Sequence, residues 1–205
     1  MRNVEKISPG MKPTLILVEH KNPLLMLPVI LDINHCLRGK MRVVTDSALV
    51  RVLNLFGVKT IGVDTSRNPN KSLNKSEGLK LGVLPFLSRI SGENRRFGLK
   101  GKEIVDGMFS TLEEGESVFL SPTGTSNKEA KWLHGLGYLV KSLYEAGLED
   151  EVAMDFLHFE RGIGKYRLHC YNTLSACLSE NGLSETQEIP VLVGGLQRAF
   201  IKARR

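Results

Sequence analysis

Short apolar runs alternate along this chain with longer stretches of helical periodicity, and that alternation constrains the fold more than any other feature. TLILVE (14–19), MRVVT (41–45), KTIGVD (59–64) and SVFLS (117–121) are rich in Val, Ile, Thr and Leu and are bounded by polar or helix-breaking residues. Such runs are too short for stable helices and read as buried strands. Between them, Asn22 and Pro23 form a helix start, because proline at the first helical position gives up no needed donor. Pro28 then falls inside that helix, where it is expected to kink it or delay its start. DSALVRVLNLFG reads as a helix capped by Asp46 and stopped by Gly57. In KEIVDGMFSTLEEG, Ile104, Val105, Met108, Phe109 and Leu112 share one helical face, with Gly115 past the end.

Farther on, Ser126 and Glu129 match a capping box, ahead of a stripe formed by Trp132, Leu133, Leu136, Leu139, Val140 and Leu143. EVAMDFLHF and YRLHCY suggest two more strands. The tail, 189–205, reads as a helix starting near Pro190 and ending in a basic cluster that suits the negative helix end. LKLGVLPFLSRI is expected to be helical, between polar loops at 65–78 and 91–101. Strands alternating with helices imply a single α/β domain over residues 1–205, with a largely parallel or mixed central sheet flanked by helices.

The chain's 205 residues suit one core better than two. A formal net charge of +6 favours an anionic partner such as nucleic acid, an anionic membrane surface or a phosphorylated small molecule. Aromatic residues make up only 6%, too few for the stacking platforms of a single-strand binder. Arginines 95, 96, 204 and 205 are spread over loops and tail, so no specific nucleic acid is expected. Cys36, Cys170 and Cys177 have no metal-ligand spacing and read as reduced thiols. The longest apolar run, PLLMLPVIL, is half the length of a membrane span, and the N-terminus carries no apolar signal region. A cytoplasmic protein, peripheral at the inner face of a membrane, is the expectation.

Two places could carry chemistry. His20 ends the first strand, at the sheet edge where α/β proteins tend to hold reactive groups. Pro122, Thr123, Gly124, Thr125 and Ser126 follow the fourth strand, and their glycine and hydroxyls could hold a phosphate or an oxyanion. The same stretch also fits an ordinary strand-to-helix connection. It lacks the Gly-x-x-x-x-Gly-Lys-Ser/Thr of a Walker A loop.

Taken in order, a strand ending in His20, RVLNLFGVKTIGVDTSR, LEEGESVFLSPTGTSN and KWLHGLGYLVKSL resemble the phospholipid and glycerol acyltransferase superfamily, whose best-known members are lysophosphatidic acid acyltransferases. The resemblance spans roughly residues 20–159. In the family's His-x-x-x-x-Asp motif, His20 matches the histidine and Leu25 stands in the aspartate's place. Gly57, Val63 and Asp64 fit the second motif, with Arg67 near its arginine. Pro122, Gly124 and Thr125 match Phe-Pro-Glu-Gly-Thr-Arg-Ser, while Ser121, Thr123, Ser126 and Asn127 replace the rest. Asp155 stands where the proline of the fourth motif would be.

The resemblance implies transfer of a fatty acyl group from a coenzyme A or acyl carrier protein thioester, used as co-substrate with no bound cofactor, to a lysophospholipid or glycerol phosphate hydroxyl. His20 would be the general base. Arg67, Lys128 and the residues from Pro122 to Ser126 would hold the acceptor, whose class resides in bilayers. Leu25 cannot orient an imidazole, so a second reading stays open: a non-catalytic member that binds lipid or a protein partner. Asp32 lies too far along its helix to replace the missing carboxylate, Glu19 should point to the face opposite His20, and Asp46 and Asp64 remain candidates.

Overall fold

The computed structural model describes residues 12–19, 23–63, 101–123, 131–160 and 164–204. In chain order the elements are β1 (Thr14–Val18), α1 (Pro23–Cys36), β2 (Met41–Asp46), α2 (Ser47–Leu55), β3 (Lys59–Val63), α3 (Lys102–Glu113), β4 (Ser117–Leu120), α4 (Gly135–Glu145), β5 (Ala153–Phe159), β6 (Tyr166–Tyr171), α5 (Leu174–Glu180) and α6 (Ile189–Ala203). The six strands form one sheet in the order β3-β2-β4-β1-β5-β6. Every neighbouring pair is parallel except β5 and β6, which are antiparallel. The α/β class and the mixed sheet expected from the alternation are therefore present.

β1 is buried along its whole length because helices cover both faces of the sheet. Its side chains alternate between two cores. Leu15 and Leu17 join Val118, Leu120, Met154 and Phe156 under α3, α4 and α6. Ile16 and Val18 join Val43, Phe119 and Leu157 under α1 and α2. α4 and α6 approach so closely at Gly137 that a Cβ there would lie 2.9 Å from both Ile189 Cγ2 and Val193 Cγ2.

Several local expectations are corrected. α1 begins at Pro23 and continues through Pro28, so that proline does not delay the start. Its missing donor removes one internal bond, while Met26, Val29, Ile30 and Ile33 bury the face that holds the helix on the sheet. Asp46 ends β2 and directly precedes α2, which starts at Ser47, so it does hold the expected cap position. The helix carrying Leu136, Leu139, Val140 and Leu143 starts at Gly135, leaving Lys131, Trp132 and Leu133 outside it. Trp132 is held instead by long-range contacts: its ring meets Phe200 edge-on at 5.3 Å, and its backbone N–H donates to Gln197 Oε1 at 3.5 Å. On α3 the expected face is sound, with Val105, Met108 and Leu112 buried and Ile104 and Phe109 packed at its margin. The tail helix starts as expected, with proline in its first turn. The segment expected to be helical at 79–90, and the Ser126–Glu129 pair, lie outside the described residues.

Candidate functional site at the C-terminal edge of the sheet

The parallel strands β1, β4 and β5 are neighbours and end on the same side of the molecule, the edge where open α/β sheets bind ligands. Leu17 pairs with Leu120, and Val18 pairs with Leu157. Glu19, the Ser121-Pro122-Thr123 segment and His158 therefore leave or end these strands side by side. Leu133 N–H donates to the Pro122 carbonyl at 2.8 Å, tying the approach to α4 to the end of β4.

Of the residues expected to form the site, Pro122 and Thr123 are described and occupy a turn directly after β4. His20, Arg67, Gly124, Thr125, Ser126 and Lys128 lie outside the described residues. Leu25, in the first turn of α1, is 42% exposed rather than part of the core. Asp32 accepts a hydrogen bond from the Tyr166 hydroxyl at 2.9 Å, which commits it to bracing α1 against β6. Glu19 faces α6, where its Oε1 receives Arg204 Nη1 at 2.7 Å. Asp155 does not reach the edge. It sits inside β5 opposite Cys170, on the face away from α6, and burial pushes its carboxyl up to about 6 against a lowering hydrogen bond from the Cys170 thiol.

One site residue escaped the sequence reading. His158 is 3% exposed and neither ring nitrogen has a hydrogen-bond partner. It lies on the α6 side of β5, with its ring centroid 4.2 Å from that of Phe200. Burial pushes the imidazole down to about 4. The Glu19 carboxylate opposes that effect, and Arg204, His169 and Arg167 add to it. A buried polar group without a partner is uncommon and costs about 1–3 kcal/mol. The available signal was the period of two in AMDFLHF, which sets His158 on the same face as the buried Met154 and Phe156. Ser121 Oγ is likewise buried without a partner.

Cations at the opposite, N-terminal edge are already committed. Arg42 binds Glu114 and Glu116 at 2.8 Å each, and Lys59 binds Glu116 as well. Among the described residues there is no group of three or more His, Cys, Asp or Glu that could hold a metal ion, and no helix is long and apolar enough to cross a membrane. Comparison of the chain with protein-family models, with curated proteins and with solved structures gave no match.

Proposed function

We propose that the protein transfers a fatty acyl group from a coenzyme A or acyl carrier protein thioester to the hydroxyl of a glycerol phosphate or lysophospholipid, at the C-terminal edge of β1 and β4. The observation that supports this reading is the pairing of Leu17 with Leu120. It brings the strand that leads into His20 beside the strand that leads into Pro122, Thr123 and Gly124, two segments a hundred residues apart in the chain. Acyl transfer needs that proximity, because a base and an acceptor-binding loop act only when both reach one hydroxyl. His20 would take the hydroxyl proton as the oxygen attacks the thioester carbon. When the C–S bond breaks, the imidazolium returns that proton to the departing thiolate. Lys128 and Arg67 would supply charge for the acceptor phosphate, and the basic surface of α6 would meet the anionic bilayer that contains the acceptor.

The alternative, a non-catalytic lipid-binding module, draws on Leu25 and on the commitment of Asp32 to Tyr166. Radiolabelled acyl transfer from acyl-CoA, and separately from acyl carrier protein, to glycerol 3-phosphate and to lysophosphatidic acid tests the reading. Turnover is expected with one of these pairs and should vanish in His20→Ala. Lysophosphatidic acid binding with no turnover from either donor would select the module.

A further inference from the structure

We propose that α6 is an acid-operated hinge: its C-terminal half, residues 196–203, swings away from the sheet at Gly194 when the His158 imidazole takes a proton from solvent. The hinge is independent of acyl transfer and rests on how the two halves of the helix are held. The N-terminal half is clamped on α4, where a Cβ at Gly137 would lie 2.9 Å from Ile189 Cγ2 and Val193 Cγ2. Gly195 is pressed on Leu183, whose Cδ2 would stand 2.2 Å from a Cβ added there. Packing does not require Gly194 in the same way. A Cβ on it would meet only Arg198 Nη1, at 3.6 Å, an ordinary contact. Two adjacent glycines in a helix interior weaken it there, because the backbone gives up more conformational freedom to stay helical. α6 is therefore weakest between its halves.

The C-terminal half lies over His158. The Phe200 ring covers the imidazole at 4.2 Å between centroids and also meets Trp132 at 5.3 Å and Phe156 at 5.4 Å. His158 is buried with no hydrogen-bond partner on either nitrogen, so a charged imidazole would be costly in the closed form. The charges that face it add to that cost. Arg204 from α6, and His169 and the register partner Arg167 from β6, disfavour a proton. Glu19 from β1 favours one, but it is paired with Arg204. Swinging residues 196–203 outward removes the Phe200 cover and the Arg204 charge together and lets water reach the ring. Burial holds the closed imidazole near 4, against 6.5 in water. The population of the open form should therefore grow about thirtyfold between pH 7.5 and pH 5. Opening uncovers the apolar seam of Trp132 and Phe200.

Amide hydrogen exchange of the full-length protein, read by NMR at pH 7.5, 6 and 5 and corrected for intrinsic exchange rates, measures the opening. Protection at residues 198–203 is expected to fall about thirtyfold from pH 7.5 to pH 5. Protection in β1 and α4 should change little over the same range. Those amides report complete unfolding, which also releases Asp155 on the opposite face of the sheet, and its titration opposes that of His158. His158→Leu should remove the pH dependence at residues 198–203. Gly194→Ala should raise protection there about fivefold at every pH, the difference in helix propensity between the two residues.

Protection at residues 198–203 that does not change with pH overturns the proposal. So does an equal fall in β1 and α4, which would make the transition global, and so does a fall that persists in His158→Leu. Gly194→Ala with unchanged protection at residues 198–203 rules out a hinge at that glycine. Should His158→Leu fail to fold, the wild-type profile and Gly194→Ala still decide the matter.

Discussion

Asp155 and His158 are three residues apart on β5, on opposite faces of the sheet, and should tilt the protein's pH–stability profile in opposite directions. His158 is pushed from 6.5 down to about 4 by burial. At pH 5 the unfolded chain protonates it and the folded protein does not, so its contribution to stability rises with pH between about 4 and 6.5. Asp155 is pushed from 3.8 up to about 6. At pH 5 the folded carboxyl keeps its proton while the unfolded one has lost it, so this contribution falls as pH rises through the same range. At about 1.4 kcal/mol per pH unit for each proton, each group spans up to about 3 kcal/mol, and in wild type the two nearly cancel.

Single substitutions should expose the hidden slopes. Asp155→Asn leaves His158 unopposed, so stability relative to wild type should climb by about 2–3 kcal/mol from pH 4 to pH 6. His158→Leu removes the other half, and its stability relative to wild type should improve by up to about 3 kcal/mol as pH falls from 6.5 to 4. Packing changes add an offset at every pH, so the slope is the quantity to read. Because the two side chains occupy different cores, the double variant should run parallel to wild type. Urea unfolding at half-unit steps from pH 4 to 7.5 supplies the profiles. Single variants that both run parallel to wild type would refute the reasoning for both groups.

Three further outcomes follow from particular contacts. Leu25→Asp should cost no more than about 1 kcal/mol, because the side chain is 42% exposed and a carboxylate in the first turn of α1 meets the positive helix end. Chemical denaturation checks the stability; if the acyltransferase reading is right, acyl transfer should also rise and depend on His20. Gly137→Ala should destabilise by about 1–2 kcal/mol in thermal unfolding, since stiff branched side chains of α6 face the new methyl and outweigh the better helix propensity. Binding to anionic vesicles should fall roughly thirty-fold in Arg198→Gln/Lys202→Gln, about 1 kcal/mol for each lost cation, and should weaken with salt. Those cations flank the exposed Ile201 on α6, and unchanged flotation of the double variant would rule this helix out as the membrane-facing surface.

Local signals determined much of the architecture. The β-branched and leucine runs became β1 to β4, the helical stripes became α3 and the body of α4, and proline marked the starts of α1 and α6. Each of these is decided within about a dozen residues, by side-chain period and by which backbone donors need partners. α5 was not singled out from the sequence, although Thr173 accepts a hydrogen bond from Ala176 N–H as a cap should. The start of α4 was misjudged because Trp132 fits a helical stripe in sequence, whereas its contacts with Phe200 and Gln197 set it outside the helix.

The candidate site divided along the same line. The ends of β1 and β4, which lead into His20 and into Pro122, were legible in the sequence as the ends of apolar runs. The placement of β4 between β2 and β1, and of β5 on the other side of β1, depends on pairings between distant segments that no local pattern specifies. Arg204 and Glu19 are 185 residues apart in the chain, yet the folded sheet and α6 bring them together beside a histidine that the sequence presented only as one more strand residue. Burial, the loss of hydrogen-bond partners and the cancelling of charges are properties of that assembled neighbourhood. Sequence determined which segments became strands and helices; only the packing of those segments turned His158 into an unpartnered imidazole under an ion pair.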